Sequence, residues 1–155
     1  KEGIMGLDTF TVKNLELFQS LSNQGVHGTL IDCLDITKTS GGGRLLRNLI
    51  INPSTDLGKI NFKLNTVEKF TKEKPMLKAI RLSLSGTSDI QRILGKINQC
   101  KASPRDVFSI AKTLEKIPDW QEKLSKGKNK YLLKLSNSFK DSQKLLYNPL
   151  KTNFL

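Results

Sequence analysis

Apolar residues recur along this chain at threes and fours, the spacing of one helix face, and seldom alternate as they would on a half-buried strand. Leu57, Ile60, Leu64, Val67 and Phe70 form the longest stripe and predict an amphipathic helix that ends near Lys72-Glu73-Lys74-Pro75. Shorter stripes predict helices at Leu30, Ile31, Leu34 and Ile36, at Leu45, Leu46, Leu49 and Ile50, and at Leu77, Ile80 and Leu84 as far as Gly86. Ile90, Ile93, Leu94 and Ile97 give another, and Val107, Ile110, Ala111, Leu114 and Ile117 the next. Leu132, Leu135, Phe139 and Leu146 predict a last helix running into Asn148-Pro149. Residues 7–18 differ, because Thr, Val and Phe surround the alternation Leu15-Glu16-Leu17, which suits a short strand or an irregular segment. The pattern as a whole predicts an all-α domain of six or seven helices, with room for that one N-terminal strand segment.

The residues between the stripes explain where the helices start and stop. Ser20 to Gly28 reads as a loop. Pro53 stops one helix, since proline lacks the amide hydrogen and restricts its predecessor, and Asp56 can cap the next. Ser88 and Asp89 are capping types before Ile90. Ser103 caps, Pro104 fits the first turn, and Asp106 completes a box-like pattern, while Pro118 is expected to end that helix. The run Thr39-Ser40-Gly41-Gly42-Gly43-Arg44-Leu45-Leu46-Arg47 marks a helix start. A phosphate-binding loop needs Lys and then Ser or Thr after its last glycine, and Arg44-Leu45 stands there instead, so a structural glycine turn is expected.

A length of 155 residues suits one domain with a real core, and the 37% apolar content falls in helical register, so the chain is expected to fold. Residues 1–155 are read as a single helical domain, with a lead-in at 1–28, a helical body at 29–125 and a terminal helix at 126–155, set off by the polar spacer Lys126-Gly127-Lys128-Asn129-Lys130. No run of about 18 apolar residues is present and Lys1 to Thr11 lack a signal-peptide stretch, so a chain neither exported nor membrane-spanning is expected. Cys33 and Cys100 have no partner spacing, which argues against a zinc site and for reduced thiols in a cytoplasm. The net charge of +12 is mostly lysine. It reads either as a surface that attracts phosphate backbones without sequence preference or, better, as solvated helix faces, because the lysines are evenly spread.

Candidate chemistry is sparse. His27 is the only histidine and lies between glycines, so no histidine-based triad or multi-histidine metal centre can form. Asp32 and Asp35 read as solvated charges. Trp120, Phe108 and Phe139 read as packing residues rather than base-stacking ones. Arg44, Arg47, Arg92 and Arg105 suit fold-fixing pairs with carboxylates such as Asp56, Asp89 or Asp106, with DNA phosphate contact as the alternative. No catalytic, cofactor-binding or metal-binding residue is assigned.

Six blocks in order, over roughly residues 5 to 125, resemble the central domain of the MutS mismatch-repair ATPases. They are Asn14-Leu15-Glu16-Leu17; Thr29-Leu30 with Leu34-Asp35; Thr39, Gly42, Arg44 and Leu46 with Pro53 and Asp56; Val67 with Phe70; Asp89-Ile90-Gln91-Arg92-Ile93-Leu94; and Ser103-Pro104-Arg105-Asp106. The chain departs from the family at Lys63-Leu64-Asn65, where Arg and then Asp or Gln are usual, and at Gln91, where Glu is frequent.

The resemblance implies a helical core or lever domain that relays conformational change between an ATPase and a DNA-gripping clamp and does no chemistry itself. The family's Phe-x-Glu mismatch reader and Walker motifs are missing from this sequence, so the chain looks like the first part of that domain. ATP and magnesium would belong to the full-length parent. Its implied partners are duplex DNA, touched weakly and non-specifically by this part, the other domains of the same chain, and a second subunit of a homodimer. A bacterial cytoplasmic, nucleoid-associated protein is implied, with no membrane partner. The alternative is an independent basic helical module that binds nucleic acid. The last stripe is expected to be left with too few partners and to be frayed or sticky.

Overall fold

A computed structural model describes residues 3–127 and 130–139, and these residues form nine helices and no strand. The all-α expectation is therefore borne out. The chain divides into two compact units, Lys1–Asn61 and Phe62–Leu155.

The first unit holds α1 (Thr9–Asn14), α2 (Leu30–Leu34), α3 (Ser40–Ile51) and the start of α4 (Leu57–Lys72). Of the short strand or irregular segment expected within residues 7–18, Thr9–Asn14 form a helix, and the residues from 15 to 18 follow it as an irregular turn. The Asp8 carboxylate accepts the Thr11 N–H at 2.6 Å, which starts the turn of α1. β pairing among the described residues is limited to one isolated bridge, Ile4 with Ser54, beside which Met5 N–H donates to the Pro53 carbonyl at 2.9 Å. This unit buries only Leu17, Thr29 and Ile31 among its described residues. The N–H groups of Leu30 and Ile31 donate to the carbonyls of Glu16 and Leu17 at 3.2 and 3.0 Å, which ties the start of α2 to the end of the Asn14-Leu15-Glu16-Leu17 block.

The glycines at 41–43 lie inside the first turn of α3 rather than ahead of it. Close approach is the reason. A Cβ on Gly42 would sit 3.0 Å from Thr39 Oγ1, and one on Gly43 would sit 3.3 Å from Asp35 Oδ2 and 3.4 Å from Thr37 Oγ1. Residues with side chains would push this polar turn off the helix start.

The second unit continues α4 and adds α5 (Lys74–Leu84), α6 (Ile90–Asn98), α7 (Pro104–Leu114), α8 (Ile117–Lys126) and α9 (Lys130–Ser138). Helix α5 packs on α8, α6 on α7, and α8 on α9. The core is Ile93, Ile110, Leu114 and Ile117, with Ile90, Trp120 and Phe139 against it. Trp120 and Phe139 meet at a tilted 57° with centroids 6.0 Å apart, so both are packing residues as expected. Phe108 is not: it is half exposed, with Lys112 Nζ 4.8 Å above its ring.

Two further expectations need correction. Ile117 does not close the stripe of α7 but opens α8, and Pro118 sits in the first turn of α8, where its missing N–H is no loss. The stripe of α9 is not left without partners, since Leu132 is fully buried and Phe139 rests on the core, although Leu135 is exposed; Leu146 lies outside the described residues. The long stripe of α4 forms the amphipathic helix that its spacing predicts, and none of its residues is buried. Leu57, Leu64 and Val67 remain exposed, Leu64 by 59% and Val67 by 62%.

Burial decides which apolar residues hold this fold. Leu114→Ala should cost about 2–5 kcal/mol in a denaturant titration, because it removes a 3%-exposed side chain from the core. Leu64→Ala should cost less than about 0.5 kcal/mol. Equal losses in the two variants would contradict the burial pattern.

Candidate functional site: the helix starts

Each helix leaves its first amide hydrogens without intrahelical acceptors, and a side-chain oxygen just ahead of the helix can satisfy them. Thr39 Oγ1 accepts Gly42 N–H at 3.0 Å at the start of α3. Asp56 Oδ1 accepts Lys59 N–H at 3.2 Å at the start of α4, and its carboxylate also faces Lys59 Nζ at 3.7 Å. Asp89 Oδ1 accepts Arg92 N–H at 3.1 Å at the start of α6. Thr29 does the same for Asp32 N–H at 3.3 Å in α2.

At α7 the expected box is complete. Asp106 N–H donates to Ser103 Oγ at 3.2 Å, and Ser103 N–H donates back to Asp106 Oδ2 at 3.0 Å, with Pro104 in the first turn and Arg105 beside it. Lys96 of α6 reaches the other carboxylate oxygen at 2.9 Å. Asp106 therefore pairs with a lysine, not with one of the arginines. Hydrogen bonding from the Ser103 backbone, then from Lys96 and the Ser103 hydroxyl, lowers its pKa to about 2. The Lys59 N–H bond likewise lowers the Asp56 carboxyl below its ordinary value.

The Asn14-Leu15-Glu16-Leu17 block ends α1. Leu15 is its C-cap, Glu16 turns the chain at φ +45°, and Leu17 is buried. The Glu16 carboxylate accepts the Ser20 hydroxyl at 3.1 Å and the Leu21 N–H, which fixes the following loop. Arg44 and Arg47 line a shallow cleft of about 500 Å³ with Asp35, Thr37 and Thr39. Arg47 also stands 5.7 Å above the Phe18 ring, and Leu46 is half-buried on α3. Hydrogen bonds from the Thr37 hydroxyl and N–H lower the Asp35 carboxyl, with Arg47 contributing less.

This cleft does not fit a nucleotide cradle. The Gly42 and Gly43 N–H groups that would face a phosphate are spent on Thr39 Oγ1 and the Thr39 carbonyl, and Arg44-Leu45 supplies neither the lysine nor the hydroxyl that phosphates and magnesium need. Asp35, Thr39 and Arg44 share this cleft. Asp56, Asp89 and Ser103 with Asp106 sit at separate helix starts and Asn14 to Leu17 at a helix end, where their chemistry is to fix the backbone.

Sequence reasoning missed the polar latches between helices. Thr113 is buried in the stripe of α7; its Oγ1 accepts Ser88 N–H at 2.9 Å and donates to the Ser109 carbonyl at 2.9 Å. Lys116 Nζ donates to the Ser85 carbonyl at 2.9 Å just past α5. Ser136 Oγ donates to the Gln121 carbonyl at 3.2 Å between α9 and α8. A threonine between Ile110, Ala111 and Leu114 was the available signal for the first of these.

The geometry defines a helical scaffold module whose distinctive residues are caps and latches. Comparison with known proteins makes the class specific: the sequence profile of the family described as MutS domain III matches residues 10–152. The chain belongs to that family. Its relatives include proteins named DNA mismatch repair protein MutS from Desulfitobacterium hafniense, 40% identical over 129 residues, from Salinibacter ruber, 36% over 119, and from Thermotoga neapolitana, 36% over 125. These matches cover 83%, 77% and 81% of this chain but only 15%, 13% and 15% of the relatives. The chain thus spans a small part of the length of the proteins it matches.

Two measurements check the caps. Thr39→Ala should lower stability by about 0.5–2 kcal/mol, the usual worth of an N-cap, and Thr39→Ser should restore most of it; no loss in Thr39→Ala would show that the hydroxyl does not hold α3. The folded pKa of Asp106 lies below the ordinary carboxylate value of 3.8, so its stabilisation is fully present above about pH 4 and is lost as pH falls through about 2. Asp106→Asn should flatten the pH dependence of stability between those limits, and an unchanged slope would contradict the assignment.

Proposed function

We propose that this chain is the helical core of a DNA mismatch-repair protein and transmits conformational change between its ATPase and DNA-clamp parts. The observation that carries this reading is the contrast between fixed helix ends and uncovered helix faces. Leu45 of α3, Leu57, Leu64 and Val67 of α4 and Leu82 of α5 are exposed on helices whose ends are tied by caps or latches. A relay element needs both properties, since it must keep its own shape and grip neighbours through apolar faces. The uncovered faces would pack on other domains of the same chain. ATP and magnesium would be held in another part of the protein, which would act as a homodimeric ATPase in a bacterial cytoplasm, at the nucleoid.

The alternative, an independent basic module, has less support. Lysines are paired with carboxylates one turn away, on their own helices at Lys72 with Glu68, Lys123 with Asp119 and Lys126 with Glu122, and just past the helix end at Lys69 with Glu73. Such pairing spreads the charge over solvated faces instead of concentrating it on one nucleic-acid surface. Duplex contact through this part is weak, falls with salt and ignores mismatches.

The relay reading is tested in the full-length protein by Leu64→Asp with Val67→Asp, exposed positions that leave the core of this chain intact. ATP-induced release from a mismatched duplex should slow at least tenfold, while mismatch affinity without nucleotide changes by less than about threefold. Unchanged release would contradict the relay. In the isolated chain, a tenfold preference for mismatched over matched duplex at physiological salt would favour the independent module.

A further inference from the structure

Arginine is sparse in this chain: only five of its 26 basic residues are arginines, and two of them, Arg44 and Arg47, stand one turn apart on α3. They line the cleft of about 500 Å³ at the start of that helix, with Lys38, Ser40 and Asp35. All five of these side chains are exposed. Arg44 already interacts within the chain, but Lys38 and the Ser40 hydroxyl have no partner among the described residues. Arg47 meets the Phe18 ring at 5.7 Å and the field of Asp35. Asp35 is the one carboxylate that lines the cleft, and its Oδ1 already accepts the Thr37 hydroxyl at 2.6 Å and the Thr37 N–H at 3.2 Å. Side-chain donors and positive charge are therefore in excess here. The same helix leaves Leu45 58% and Leu49 36% exposed, one turn apart.

We propose that this cleft receives an aspartate or glutamate carboxylate from a part of the longer protein outside these 155 residues, an inference that rests on the relay reading above. The carboxylate would lie between Lys38 and Arg47, whose guanidinium can offer it two parallel N–H donors, and Ser40 would donate a further hydrogen bond. Apolar residues flanking that carboxylate would cover Leu45 and Leu49. A phosphodiester backbone would meet the same cations but leave both leucines in water. The ion pair would set the position of the covering part on α3, since a charge pair fixes the register of an apolar contact that has little direction of its own.

The test uses the full-length protein that carries this chain and a water-soluble carbodiimide, which joins an ammonium to a carboxylate in direct contact as an amide. Peptide mapping by mass spectrometry should find Lys38 joined to an aspartate or glutamate outside these residues. Arg47→Gln, and separately about 1 M salt, should each lower that yield at least about threefold. Circular dichroism of the isolated chain checks that Arg47→Gln keeps its helix content. Lys38 joined only to Asp35, or to nothing, overturns the proposal. So does shielding of Lys38 from acetylation by matched duplex DNA with no carboxylate link, because the cleft would then take phosphate. Amide exchange separates this failure from failure of the relay reading. If α3 is better protected in the full-length protein than alone while Lys38 stays unlinked, only the carboxylate is wrong; equal exchange in both removes the packing on α3 as well.

Discussion

The constraint on which this structure depends is the satisfaction of helix ends. A chain with many short helices and few buried residues cannot draw its order from the core alone, and every uncapped start would leave several amide hydrogens competing for water. Asp8, Thr29, Thr39, Asp56, Asp89 and Ser103 each place an oxygen on such a start. Most of these residues, Asp8 being the exception, fall within the blocks that resemble the MutS core domain. The resemblance is therefore largely a pattern of capping chemistry, which sets where each helix begins and so where each exposed face points.

Packing divides the labour unevenly. In the second unit, Ile93, Ile110, Leu114 and Ile117 give the helices a common core, and Thr113 is buried there because its hydroxyl both accepts and donates a hydrogen bond. In the first unit, order rests more on hydrogen bonds: local ones between the Glu16 carboxylate and its loop and between Thr37 and Asp35, and long-range ones between residues 3–5 and 53–55. An apolar stripe such as that of α4, left in water, is a surface suited to packing.

Helix content and most helix starts were legible in the sequence because caps and stripes are local signals. The box at Ser103-Pro104-Arg105-Asp106 could be read directly. Pro118 was misread because proline both ends helices and begins them, and only the three-dimensional path of Glu115 and Lys116 distinguishes the two. Helix α1 was read as a short strand or an irregular segment because Thr and Val favour strands until Asp8 supplies a cap. Burial has no periodic signature of its own: α4 and α7 carry similar patterns, yet Leu64 is exposed and Leu114 is buried. The latches among Ser88, Ser109 and Thr113, or between Ser136 and Gln121, join residues far apart in sequence and have no periodic signature.

The central claim is that caps hold these helices while their apolar faces await other parts of a longer protein. Amide hydrogen exchange, compared between this chain alone and the full-length protein that carries it, tests that claim most directly. The account predicts that α7 exchanges with similar protection in both, while α3 and α4 gain at least about tenfold protection in the full-length protein. Equal protection of α3 and α4 in the two would contradict it.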